Sequence, residues 1–125
     1  MIEKINFAIV GCGRIAKRHS ELLGNNQIPN ANLVSVCDIV EEKASDIAAK
    51  FDIPYYEDMH TMMSEQKVDV VVILTESGNH AKNVLELCKY GAHIVVEKPM
   101  ALKLEDADKM ISACEKAKIM LFVVK

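Results

Sequence analysis

The chain has no excess of one charge, no long apolar run and no low-complexity segment. Its 15 Lys and Arg stand against 18 Asp and Glu, a net charge of −3 with no basic block. That leaves no footprint for nucleic acid or for an anionic membrane surface. The longest apolar runs are too short to cross a bilayer, and the opening residues MIEKIN do not read as a secretory leader. Cysteine is sparse: Cys12, Cys37, Cys88 and Cys114 include no CxxC pair. No cluster of Cys, His and carboxylate has metal-ligand spacing, so no metal is expected. The thiols are expected to be reduced and mostly buried, in a cytoplasmic protein.

What is there is the material of a globular domain. At 125 residues, 50% hydrophobic and 26% charged, the chain is long enough to bury one core. Short runs rich in Val and Ile read as buried strands at Ile5–Val10, Leu33–Cys37, Val68–Leu74, Ile94–Val96 and Ile119–Val124. Continuous apolar runs of this kind suit a parallel sheet covered on both faces. A weak strand around Pro54–Glu57 is expected at the sheet edge. Helical periodicity fills the intervals, over Arg14–Leu23, Val40–Phe51, His60–Gln66, His80–Tyr90 and Leu104–Ala117.

In the second helix Val40, Ala44, Ile47, Ala48 and Phe51 form one stripe. In the last, Leu104, Ala107, Met110, Ile111 and Cys114 do the same. Gly24-Asn25-Asn26, residues that tolerate left-handed geometry, are expected to end the first helix, and Gly91 to cap the fourth. Pro29, Pro54 and Pro99 all fall in connections. The pattern is α/β, a doubly wound parallel sheet (Rossmann) of about six strands in the order 3-2-1-4-5-6. The last strand breaks off with no closing element, which points to a larger protein cut at its first domain boundary.

Four clusters fall at the carboxyl ends of strands, where ligands bind in such sheets. Gly11-Cys12-Gly13-Arg14-Ile15-Ala16 links the first strand to the first helix. Gly11 permits the tight turn, Gly13 removes a side chain where a pyrophosphate would approach, and Ala16 lets helix and strand pack closely. The helix then presents free N–H groups to phosphate. Asp38 lies 25 residues past Gly13, placed to accept both hydroxyls of an adenosine ribose. Ile39, Val40 and Glu41 follow it, with no Lys or Arg beside it for a 2′-phosphate, so NAD is expected over NADP. Asp38 could equally be the N-cap of the second helix.

Thr75-Glu76-Ser77-Gly78-Asn79-His80 offers small polar groups to the nicotinamide half of the cofactor, with His80 either reaching ribose or lying at the surface in a first helical turn. Glu97-Lys98-Pro99 ends the fifth strand. There Lys98 either serves a substrate hydroxyl or forms an ordinary surface ion pair. The candidate cofactor contacts are therefore Gly11, Cys12, Gly13, Arg14, Ile15, Asp38 and Ile39 on one side, and Thr75, Glu76, Ser77, Asn79, His80, Glu97 and Lys98 on the other.

Taken together, GCGRIAKRH at 11–19, Asp38, SGNH at 77–80 and EKPMAL at 97–102 resemble the glucose-fructose oxidoreductase / inositol dehydrogenase / rhizopine-catabolism (Gfo/Idh/MocA) family. The resemblance implies the NAD-binding domain, residues 1–125, of a two-domain oxidoreductase. Such an enzyme moves hydride between NAD and a sugar or nucleotide-sugar carbinol. It also implies that Lys98 is catalytic, that His80 borders the nicotinamide ribose, and that Arg14 and His19 match members acting on nucleotide-linked amino sugars. The family's second domain, which carries further catalytic groups and the surface for a homo-oligomer, has no counterpart here. Without it the isolated domain is expected to be inactive and to expose an apolar face. Glu76 stands where the family often has Pro. Two other readings remain open: a module that senses NAD(H) without catalysis, and a member that uses bound NAD for elimination or glycoside cleavage.

Overall fold

The computed structural model describes residues 4–25 and 27–124. Six strands form one parallel sheet: β1 (Ile5–Val10), β2 (Ala31–Cys37), β3 (Tyr55–Tyr56), β4 (Val70–Ile73), β5 (His93–Val96) and β6 (Leu121–Val123). Their spatial order is β3-β2-β1-β4-β5-β6, with every neighbouring pair parallel. The order reverses between β1 and β4, which opens a crevice at their carboxyl ends. Five helices connect the strands: α1 (Arg14–Gly24), α2 (Glu41–Phe51), α3 (Met59–Glu65), α4 (His80–Leu87) and α5 (Leu104–Ala117).

Side chains of a strand alternate between faces, so the two central strands feed two cores. Ala8, Val10, Val71 and Ile73 pack with Met62, Val84, Leu87 and Met110 from α3, α4 and α5. Ile9, Val72 and Leu74 pack with Ala16, Leu23, Ala44 and Ile47 from α1 and α2. Each fully buried aliphatic side chain contributes about 1.5–3 kcal/mol relative to exposure. Burial of both sets is why these strands read as unbroken apolar runs.

The sheet margin departs from that pattern. On the face that α1 and α2 cover over the central strands, Val95 of β5 is half-buried, and its β6 neighbour Phe122 is 48% exposed. The last strand is thus an open edge, not a strand covered on both faces. The helical stripes are also narrower than their periodicity suggests. Val40 lies outside α2 as its N-cap and is exposed, as are Leu104 and Ile111 of α5.

Helix ends follow local chemistry. Glu41 and Glu42 open α2, Glu105 and Asp106 open α5, and Lys50 and Lys116 close them, each matched to the helix dipole. Asp58 caps α3, accepting the Thr61 hydroxyl at 2.8 Å and the His60 N–H at 3.2 Å. Those bonds, that of Thr61 foremost, hold its carboxyl below the usual range. The first helix ends at Gly24 as expected, with Asn25 as its C-cap at φ −97°; Asn26 lies outside the described residues. Gly24 also serves packing, since a Cβ there would lie 2.4 Å from the Phe51 ring. Gly91, at φ 83°, does close the short 3₁₀ turn Cys88–Tyr90 that extends α4.

Among the described residues no helix is long and apolar enough to cross a membrane. Nor is there, among them, a group of three or more His, Cys, Asp and Glu that could hold a metal ion.

Candidate cofactor crevice

The two glycines of the first turn do different work. Gly11 has φ 101°, and its N–H donates to the Cys37 carbonyl at 2.8 Å. A Cβ there would sit 2.7 Å from the backbone of Leu74 and Thr75. Gly11 is therefore glycine for the fold, wedged between the ends of β2 and β4. Gly13, the N-cap of α1, has φ −79° and ψ −161°, which any residue adopts. A Cβ there would meet nothing within 4 Å. Neither backbone strain nor crowding demands this glycine; it leaves open space at the start of a helix with no acidic residue in its first turn. A pyrophosphate fits that cradle, accepting from the free N–H groups of α1.

Asp38, just past β2, completes the turn. Its Oδ2 accepts the Cys12 N–H at 2.7 Å and its Oδ1 accepts the Val40 N–H at 2.8 Å. Asp38 is therefore not the cap of α2, whose N-cap is Val40 with no side-chain bond. The carboxylate is held by two backbone donors, and each oxygen keeps a lone pair for a ribose hydroxyl. Cys12 is buried and contributes its backbone, while its Sγ contacts the Cys37 carbonyl at 3.4 Å. Burial first, then the charge of Asp38, pushes the thiols of Cys12 and Cys37 up to about 12. Neither is a nucleophile at neutral pH. All four cysteines are free, and three are buried.

These groups border a crevice of about 660 Å³, which Gly11, Gly13, Asp38, Ile39, Thr75, Glu76 and Asn79 line together. Ile39 forms an exposed lip, 88% accessible. Arg14 and Ile15 lie exposed in the first turn of α1, outside the lining. The structure adds residues that linear reading missed. Lys43, in the first turns of α2, enters the lining with Asp38, so a cation does stand on that wall. Met59 and Asn83 also line the crevice. Nothing local to Lys43, Met59 or Asn83 marked them.

The remaining candidates surround the ends of β4 and β5. Ser77, Gly78 and Asn79 form a 3₁₀ turn, with the Glu76 carbonyl accepting the Asn79 N–H at 2.9 Å. Glu76 is exposed, an extra carboxylate at the crevice. His80 is not a surface residue: it is 1% exposed, and both ring nitrogens lie 2.8 Å from backbone carbonyls, Nδ1 from Pro99 and Nε2 from Thr75. Neither ring nitrogen faces the crevice. Glu97 is buried, its Oε2 unbonded and 3.4 Å from Nε2 of His19 on α1. Lys98 follows, exposed, and is joined to Pro99 by a cis peptide bond.

Comparison with known proteins agrees with this geometry. Residues 5–125 match the family described as "Oxidoreductase family, NAD-binding Rossmann fold", Gfo/Idh/MocA. The WlbA dehydrogenase of Bordetella pertussis, solved in complex with NADH and UDP-GlcNAcA, superposes with a TM-score of 0.92 at 36% identity, over 98% of this chain and 37% of that one. Myo-inositol 2-dehydrogenase of Thermotoga maritima is 30% identical over 94% of this chain and 35% of its own length. A 2,7-anhydro-N-acetylneuraminate hydratase of Mediterraneibacter gnavus is 27% identical over 91% of this chain and 29% of its own. The chain thus spans about a third of the length of these relatives. It belongs to the Gfo/Idh/MocA family and is an NAD-binding Rossmann domain of that family.

Proposed function

We propose that this chain is the cofactor half of a cytoplasmic dehydrogenase that oxidises a secondary hydroxyl of a sugar or nucleotide sugar. The observation that carries the reading is Gly13: an unstrained glycine whose missing side chain leaves a cradle at the head of α1. Support for the substrate class comes from relatives whose names are those of inositol and sugar dehydrogenases, and from the nucleotide sugar in the WlbA complex. In the full-length protein, a second domain would close over the crevice, supply further catalytic groups and form the homo-oligomer surface. The relatives' greater length supports this division. The four free cysteines suit a reducing compartment.

Bound NAD⁺ would supply the hydride acceptor for conversion of the carbinol to a carbonyl. Gly13 and the first turn of α1 would hold the pyrophosphate, and Asp38 would take the ribose hydroxyls. Thr75, Glu76, Ser77 and Asn79 would border the nicotinamide half. The exposed ammonium of Lys98 would orient the substrate hydroxyl while a base from the second domain takes its proton.

Calorimetric titration of the chain with NAD⁺ and with NADP⁺ tests the cofactor half. NAD⁺ is expected to bind at least about tenfold more tightly, a difference of about 1.4 kcal/mol. A preference for NADP⁺ would show that Lys43, not Asp38, governs this wall. In the full-length protein, Lys98→Met should collapse turnover and leave NAD⁺ affinity within about twofold; full turnover in that variant removes Lys98 from the reaction. The hydratase relative favours a second reading, elimination with bound NAD. Turnover without net change in cofactor absorbance would establish it. No feature of the crevice favours a sensor over an enzyme.

A further inference from the structure

His80 is a buried polar group that the proposed chemistry does not use. It opens α4, is 1% exposed, and would cost several kcal/mol to bury without partners. Its partners are two backbone carbonyls on different loops. One, Thr75, lies just past β4; the other, Pro99, lies just past β5, 24 residues on. A ring carrying hydrogen on both nitrogens serves both carbonyls at once, and a neutral ring serves one at a time. Asn83, three residues further along α4, accepts the Thr75 hydroxyl. The first turn of α4 therefore grips Thr75 at both its carbonyl and its side chain, and through His80 also grips the turn that carries Lys98.

From this arrangement we propose that His80 is a positioning residue for the nicotinamide end of the crevice. It ties the β4 and β5 loops together, so that Thr75, Glu76 and Lys98 keep one spacing across the site. This rests on the cofactor reading above and assigns His80 a role beneath the site instead of contact with ribose. The adenosine and pyrophosphate end, held by Asp38 and Gly13, does not depend on it.

The test compares NADH with ADP-ribose, which lacks the nicotinamide, by calorimetry on the whole 125-residue chain. The wild-type chain should bind NADH about tenfold more tightly than ADP-ribose. His80→Phe, similar in bulk but without donors, should abolish that advantage and leave ADP-ribose affinity within about twofold. His80→Asn, which keeps an N–H₂ donor, should restore part of it. Equal loss for both ligands, no loss for either, or a wild-type chain that does not distinguish them overturns the proposal. A wild-type chain that binds neither ligand overturns the cofactor reading beneath it.

If His80→Phe does not fold, the wild-type protein decides. With ¹⁵N-labelled histidine, a His80 ring N–H should exchange slowly with water and shift on adding NADH but not ADP-ribose. A His80 ring N–H that exchanges quickly, or that ignores NADH, refutes the role.

Discussion

At one end of the crevice, a few residues close on themselves. Gly11 and Cys12 are bound to the end of β2 by the Cys37 carbonyl and the Asp38 carboxylate. At the other end, one backbone bond, from the Glu97 N–H to the Ile73 carbonyl at 3.1 Å, joins the strand ends, and beyond it the loops after β4 and β5 are joined through a buried imidazole carried by α4. The first end is a compact turn that glycine and one carboxylate define. The second is an assembly, whose spacing depends on a side chain outside the crevice lining. Substitutions in the first should separate cleanly into fold defects and ligand defects, whereas in the second a positioning defect is itself a ligand defect.

The comparison can be broken most forcefully at Gly11. Gly11→Ala places a methyl group 2.7 Å from the Leu74–Thr75 backbone at a φ of 101°. The expected cost is on the order of 3 kcal/mol, read as a loss of thermal and urea stability with or without cofactor. Gly13→Ala should do the opposite. Its stability should fall by about 1 kcal/mol or less, the ordinary difference between Gly and Ala at an N-cap. NADH and ADP-ribose affinity should fall together by about tenfold or more, because the methyl group fills the pyrophosphate cradle. If Gly13→Ala binds both ligands normally, that cradle is not where the phosphates lie.

An effect absent at neutral pH concerns the buried thiols, which belong to the first end alone. Cys12 and Cys37 are pushed from 9.0 to about 12 in the folded chain. Between those values the unfolded chain has released protons that the folded chain still holds, so stability falls as pH rises. Below about pH 9 the two thiols have no effect on the pH dependence. Urea denaturation between pH 7 and 11 should show a steeper alkaline loss in the wild-type chain than in Cys12→Ala/Cys37→Ala. Identical slopes would mean that these thiols ionise equally in both states.

Legibility followed the same division. The glycine turn, the sheet order and Asp38 at the end of β2 could be read from residues lying next to one another in the chain. The role of Asp38 in fixing Cys12 and Val40 could not, because it needs the relative placement of two strand ends. His80 illustrates the limit best. As a residue in a first helical turn it was equally suited to the surface or to a ribose. Only the adjacency of β4 and β5, with α4 packed behind them, put it between two carbonyls. Glu97 likewise became a buried neighbour of His19, a residue 78 positions earlier in the chain.

By itself the sequence determined the alternation of strands and helices, the parallel sheet with its crevice, and the tight turn at Gly11. Those follow from hydrophobic period and backbone freedom, which act over a few residues. Only the tertiary structure decided that Gly13 is free of the fold, that Lys43 stands on the wall with Asp38, and that His80 clamps the far loops. Each depends on which groups approach through space, and open space or a carbonyl 19 residues away leaves no mark on the neighbouring residues of the chain.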